Sequence, residues 1–299
     1  MIAGLLRATP ALGALACGPS PAAVAFRGGA ALGPENSLLA VDHSLSAGAT
    51  ALHVDLFLTA DRVPVLSALP YVDPDRCRTL AGAPVEPETW LLQATALELQ
   101  AGYRCGARPD PRFPTADREA VPIATWDELL ALLSAHPGVE LWAQVGWAPN
   151  VSHDPQVFAA EVLARWQRAR DGADLQAELV VVADTALTLD AFGERAAADG
   201  VDLRRALSWP RVPPEEGAGL AALGLGLGAE LGLVDPVDPA LDRADALILR
   251  PDLARPADAR AAADAGLQVL VGPILDEGAA RAFGRWPVDA LLVAHPGWP

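Results

Sequence analysis

The chain is 299 residues long, 52% hydrophobic but only 5% aromatic, and carries a formal net charge of −16. Such a chain can bury a large core, mostly of Ala, Leu and Val, in one barrel-sized domain or two smaller ones. The charge argues against nucleic acid and against a polyanionic membrane surface as partners, and the complete lack of lysine excludes a Walker-type phosphate loop and Schiff-base chemistry.

The N-terminus reads MIAGLLRATPALGALACGPSP. Arg7 gives a thin positive region, Ala11 to Ala16 a short apolar run, and Cys17 follows small residues ahead of a Pro/Ser-containing tether. This resembles a bacterial lipoprotein signal, cleaved before a Cys that is then lipidated. Leu15 stands one place nearer the Cys than is usual, and Pro10 interrupts the apolar run; the alternative is a disordered Ala-rich leader. Residues 1–21 are therefore read as signal and tether and 22–299 as the folded domain. The expected location is the bacterial cell envelope, with membrane attachment through a lipidated Cys17. No other run is long and apolar enough to span a bilayer.

The first strand, AAVAF (22–26), leads through a loop into a helix, SLLAVDHSLSAG, and then to ALHVDLF (51–57) and a short strand after a turn. The segment from about 70 to 121 breaks this rhythm. It is rich in proline and holds both remaining cysteines, Cys77 and Cys105, so it reads as an insertion after the second strand. An oxidising compartment would let the pair bridge, a closure that stabilises by about 3–4 kcal/mol in the chain-entropy model; the alternative is two reduced thiols in the cytosol.

Beyond the insertion, TWDELLALLSAH reads as helix and VELWAQV (139–145) as strand. The helix PQVFAAEVLARWQRAR, the strand LVVVAD (179–184), the helix TLDAFGERAAADG and the strand LRRALSW (203–209) follow. The next unit, GAGLAALGLGLGAELG, is so glycine-rich that its helix must be irregular. DALILR (245–250), LQVLVG (267–272) and DALLVAH (289–295) complete the strands, separated by the helices PADARAAADAG and EGAARAFGRW. Short β-rich runs without strict alternation suit a parallel sheet buried on both faces, and several helices begin at Ser, Thr or Asp and end at Gly. Eight strands alternating with helices predict a (β/α)₈ TIM barrel.

Active sites of this architecture lie at the C-terminal strand ends. There His53 and Asp55, two apart and so on one face of their strand, are the one acid/base or metal-ligand pair with useful spacing. With Glu35 as a third ligand they suit Zn²⁺; the bland reading is a hydrogen-bonded pair filling the barrel top. Arg27 either grips a phosphate or carboxylate or pairs with Asp55 or Glu35.

The run FRGG…GPENSLLAV…SAGATALHVDLFLTADRVPVLSALP resembles the glycerophosphodiester phosphodiesterase family, whose signature is His-Arg-Gly, Pro-Glu-Asn-Thr, Glu-x-Asp, Asp-Gly-x-Pro-Val and His-Asp. VPIATWDELLALL, VELWAQVGW and WPVDALLVAHP extend the likeness over nearly the whole chain after residue 21. The resemblance implies the family's TIM barrel, to which the cysteine pair adds a disulfide-stapled insertion after the second strand. It also implies losses, position by position. Phe26 stands where the first catalytic His belongs, and Ala68 and Leu69 where the His-Asp containing the second belongs. His53, Asp55 and Gln144 stand at the three metal-ligand positions, a poor set for a hard cation such as Ca²⁺ or Mg²⁺, and Gly146 replaces a phosphate-contacting Lys. Arg27, Glu35, Asn36 and Asp55 are retained.

These losses predict a catalytically inactive member with no cofactor, a divalent metal (Ca²⁺ or Mg²⁺) being expected only if the ancestral site persists. Trp147, Trp209 and Trp298, at or just past strand ends, would join Phe26 in an aromatic mouth. With Arg27 and Glu35 that mouth suits a small ligand, cationic or glycerophosphodiester-like; otherwise these rings pack under loops or under the insertion. Two further readings remain open: an active phosphoric diester hydrolase or lyase rebuilt around His53, Asp55 and Arg27, and a structural envelope protein with a closed pocket.

Overall fold

The computed structural model describes residues 21–86, 88–108, 110–147, 150–173, 175–208 and 243–298. The leader with Cys17, the glycine-rich segment and Trp209 lie outside them.

Eight parallel strands close on themselves: β1 (Ala22–Ala25), β2 (Ala51–Leu58), β6 (Glu140–Val145), β7 (Glu178–Ala183), β8 (Arg204–Ser208), β9 (Ala246–Leu249), β10 (Gln268–Ile274) and β11 (Ala290–Val293). Closure runs through the pairings of β1 with β11 and with β2, where Ala25 faces Leu52. A short β3 (Pro64–Leu66) lies antiparallel to β2. The insertion adds β4 (Cys77–Thr79) and β5 (Tyr103–Cys105), an antiparallel pair of its own, joined by a disulfide between Cys77 and Cys105. The expected (β/α)₈ barrel with a stapled insertion after its second strand is thus what the chain forms.

The helices on the described residues are α1 (Leu38–Ser46), α2 (Ala96–Gly102), α3 (Trp126–Leu133), α4 (Pro155–Ala173), α5 (Ala186–Asp199), α6 (Pro256–Asp264) and α7 (Glu277–Phe283). Their starts are written in the sequence. Ser37, Thr185 and Asp276 cap α1, α5 and α7, and Thr95 and Thr125 form capping boxes with Glu98 and Glu128. Each satisfies backbone N–H groups that the first helical turn leaves unpaired.

Strand β2 is buried throughout, and its pleat sorts its side chains. Leu52, Val54, Leu56 and Leu58 join a core with Trp126, Phe158, Trp166 and Phe192 of the helical layer, whereas Ala51 belongs to the lumen with Val24, Phe26, Trp142, Val180 and Leu270. Residues 53 and 55 share the parity of Ala51, so a period of two aims both into the barrel. At the opposite end, Arg204 bonds Glu140 at 2.5 Å and also Gln268, and lies over the Trp142 ring. Arg204, Glu140 and Gln268 open β8, β6 and β10, so these contacts tie three strands together at the N-terminal end of the barrel.

Candidate active site at the barrel mouth

The mouth is organised by the turn that leaves β1. The sequence suggests a first strand running through Phe26, but it ends at Ala25 and Phe26–Gly28 form a 3₁₀ turn in which Arg27 is left-handed (φ 52°, ψ 40°). That conformation costs a non-glycine residue about 1–2 kcal/mol. It persists because Asn36 N–H donates to the Arg27 carbonyl at 2.8 Å and because the Arg27 side chain is tied down at both ends. Arg27 Nη1 donates to Glu35 Oε1 at 2.8 Å, and its Nε lies 2.7 Å from Asp55 Oδ2. Arg27 thus pairs with both Glu35 and Asp55.

Asn36 completes the arrangement. Its Nδ2 donates to Asp55 Oδ2 and its Oδ1 accepts from the Asp55 backbone N–H, both at 2.9 Å. Arg27 and Asp55 are only 6% and 8% exposed. Burial works against the Arg27 charge, but the fields of Asp55 and Glu35 and the hydrogen bonds to both outweigh it, holding the guanidinium above its ordinary value. His53, 2% exposed, stacks on the Phe26 ring at 5.4 Å, and Arg27 covers the same ring at 4.8 Å. His53 and Asp55 therefore belong to a packed stack beneath the mouth, and Gln144 sits beside Asp55 in the β2–β6 register.

The insertion brings residues that the strand ends alone did not reveal. Arg76, next to Cys77, pairs with Glu35, and Arg112 reaches Glu35 Oε2 at 3.3 Å. Asp110 ties these two arginines together, 3.3 Å from Arg76 and 2.6 Å from Arg112. Three guanidiniums thus converge on one carboxylate. Burial alone would raise the Asp110 carboxyl, but hydrogen bonds and charge from Arg112, with Arg76 adding to them, hold it below the usual range. Burial likewise opposes the Arg76 charge, and Glu35 outweighs it. On the other disulfide arm, Gly106 (φ 93°) lies against Pro34, where a Cβ would come within 2.3 Å of the ring. The Glu35 loop is therefore gripped from both arms of the staple.

Between that loop and the insertion runs a cleft of about 870 Å³, counted out to open solvent; Ala68 and Leu69 line it, as do Arg76, Arg108 and Arg118. Its charge is mixed, since Asp73, Asp110 and Asp117 line it alongside these arginines. Trp298 stacks on His295 at 5.9 Å and packs against a cluster containing Ala30, Phe113 and Ala294. It lies partly under the insertion, and Trp147 is half-buried just past β6. Two signals could have flagged the insertion's part: arginines flanking a cysteine in an acidic chain, and a Thr-x-x-Glu box opening a helix within the segment.

The donor set does not fit a divalent cation. His53, Asp55 and Gln144, the positions that the resemblance assigns to metal ligands, offer one imidazole, one carboxylate and one amide, whereas hard cations take several oxygen ligands, carboxylates prominent among them. Asp55 already faces a guanidinium, and Glu35, the third-ligand candidate for Zn²⁺, is occupied by arginines. Among the described residues no group of three or more His, Cys, Asp or Glu could hold a metal ion.

A closed parallel barrel with an Arg, a Glu-Asn loop and a strand-two Asp meeting at its C-terminal mouth defines a TIM barrel of the phosphodiesterase type. Residues 27–182, more than half of the chain, match the Glycerophosphoryl diester phosphodiesterase family, and the chain belongs to it. Glycerophosphodiester phosphodiesterase 1 of Rattus norvegicus is 38% identical over 100 residues, which span 33% of this chain and only 29% of that protein. A Silicibacter pomeroyi protein assigned as a glycerophosphoryl diester phosphodiesterase has a similar fold (TM-score 0.73, 22% identity, 94% of this chain and 92% of the other). An Oleispira antarctica phosphodiesterase in complex with the product sn-glycerol-3-phosphate is also similar (TM-score 0.64, 16% identity, 93% and 94%).

Proposed function

We propose that this glycerophosphodiester phosphodiesterase-family barrel is catalytically inactive and acts at the bacterial cell envelope as a binding protein. The observation that carries the reading is the stack of Phe26 on His53 beneath Arg27, with Arg27 engaged by Glu35 and Asp55. Phe26 and Ala68 occupy the positions of the family's two catalytic imidazoles, and neither can move a proton. General acid–base catalysis contributes about 10²–10⁴-fold per group, so losing both, together with a metal-competent ligand set, leaves almost no hydrolysis.

Attachment through a lipidated Cys17 is part of the proposal, and the Cys77–Cys105 disulfide supports export, since such bonds persist in oxidising compartments. The ligand proposed is a small molecule of the glycerophosphodiester type that carries a cationic group. A cleft lined by Arg76, Arg108 and Arg118 on one hand and by Asp73, Asp110 and Asp117 on the other can pair with both ends of such a molecule. The reading is tested by assaying glycerol 3-phosphate release, together with a thermal-shift series on glycerophosphodiesters. No turnover, with a rise in melting temperature that Arg76→Ala abolishes, is the expected result; turnover would favour a rebuilt enzyme, and neither turnover nor binding a closed structural barrel.

A further inference from the structure

We propose, resting on that function, that the insertion and not the barrel holds the ligand: Arg108 and Arg118 take its phosphate and Asp117 its cationic group. Most other charges on the cleft wall are already engaged within the protein. Glu35 meets Arg27, Arg76 and Arg112. Arg76 also lies 3.3 Å from both Asp73 and Asp110, and Asp110 holds Arg112. A phosphate that drew Arg76 away would strip a counter-charge from Glu35, whose side chain is only 12% exposed, and an uncompensated charge out of water is costly. Arg76 therefore positions the wall and is not the group that takes the ligand.

Arg108 and Arg118 differ. Both are exposed on the cleft, and among the described residues neither pairs with a carboxylate. Arg108 Nη1 donates to the Asp75 carbonyl at 3.4 Å and Arg118 Nη2 to the Pro114 carbonyl at 2.8 Å, which leaves each guanidinium its other N–H groups. The fold brings the two together. Cys105 and Val121 exchange both backbone hydrogen bonds, at 2.8 and 2.9 Å, so two antiparallel limbs run from this pair. Arg108 stands three residues after Cys105 and Arg118 three before Val121, equal steps along the two limbs. The second limb is pinned to the barrel, because the Asp117 N–H donates to the Leu32 carbonyl at 3.1 Å. Two guanidiniums at matched places repel unless an anion lies between them, and phosphate suits such a pair because each fork can bond two of its oxygens. Asp117, beside Arg118, is the carboxylate of this wall without an ion pair among the described residues. It sets a negative group next to the phosphate position, as a zwitterionic ligand requires.

Binding of glycerophosphocholine, and of glycerophosphoglycerol, which lacks the cation, is measured by calorimetry on the unaltered chain and its variants, and melting is followed without ligand. Arg108→Gln and Arg118→Gln are each expected to weaken both probes about tenfold and to leave the unliganded melting temperature unchanged, as exposed charges do. Asp117→Asn should weaken glycerophosphocholine alone, whereas Arg76→Gln lowers the melting temperature as well as the binding of both. Full affinity in Arg108→Gln and Arg118→Gln, or unchanged discrimination between the probes in Asp117→Asn, overturns this proposal and leaves the proposed function standing. No binding of either probe by the unaltered chain overturns both. Turnover of the probes overturns the proposed function alone; the two arginine variants are then expected to raise KM with kcat kept, and an unchanged KM overturns the assignment of the phosphate contacts.

Discussion

The ring of Phe57 fills the space that any side chain at position 146 would enter: a Cβ on Gly146 would lie 2.1 Å from Phe57 Cζ. The two residues face each other across β2 and β6, one place beyond the Leu56–Val145 pair. Phe57 also packs with Val72, Cys77 and Leu99 of the insertion. Gly146, which the resemblance sets at the place of a phosphate-contacting Lys, therefore has an aromatic neighbour in the space of a side chain, and that neighbour packs against the insertion.

Gly146→Ala is expected to destabilise by about 1–3 kcal/mol, the usual cost of overpacking, read as a lowered denaturation midpoint. Adding Phe57→Ala relieves the clash. The double variant should lose less than the sum of the single losses, with a coupling of about 0.5–3 kcal/mol. Strict additivity would show that the two positions do not compete for the same space.

The arginines around Glu35 should differ in weight. Arg27 is buried, and removing one partner of a buried pair leaves the other uncompensated, so Arg27→Met is expected to cost about 3–5 kcal/mol. Arg112, with 38% of its side chain exposed, is screened by solvent, and Arg112→Ala should cost no more than about 1 kcal/mol. Equal losses in urea denaturation would contradict this ranking.

Reducing the disulfide, or replacing Cys77 and Cys105 with serine, should destabilise by about 3–4 kcal/mol, given their sequence separation of 28. Because β4 and β5 carry Arg76 and Gly106 to the Glu35 loop, proteolysis should begin within residues 70–121. Unchanged protease resistance of the reduced protein would show that the insertion docks without its staple.

Docking of the insertion should also weaken in acid. The Asp110 carboxyl is held below its ordinary value in the folded protein, so its contribution is fully present above the unfolded value of about 4. It is lost as pH falls through the depressed folded value, because the unfolded chain takes up the proton first. Asp110→Asn should flatten this acid limb of the melting curve below pH 4, and an unchanged limb would remove Asp110 from the account.

Much of the barrel was legible in the sequence because buried parallel strands and capped helices leave local signals. All eight strands lie within one or two residues of their expected bounds. The exceptions are instructive: β1 stops before Phe26 because Arg27 turns left-handed, and β10 runs on past Gly272 to Ile274. The insertion's strands are three residues each, too short to show a period. The site was half legible. His53 and Asp55 share a face through the period of two, but nothing local links Glu35 to Arg76 and Arg112, which lie far along the chain and reach it only through the disulfide-linked segment. The Phe57–Gly146 contact likewise depends on strand register, which alternation within a single strand does not supply.

The central claim, that the family's frame is retained and its chemistry lost, is tested most directly by glycerol 3-phosphate release from glycerophosphodiesters with Ca²⁺, Mg²⁺ or Zn²⁺ added in turn. The chain is compared with a variant carrying Phe26→His, His53→Glu, Ala68→His, Leu69→Asp, Gln144→Glu and Gly146→Lys, with Phe57→Ala to make room for the lysine. The account expects no turnover from the unaltered chain and measurable turnover from the restored one. Turnover by the unaltered chain that disappears in Asp55→Ala would contradict it and place a working site around His53, Asp55 and Arg27.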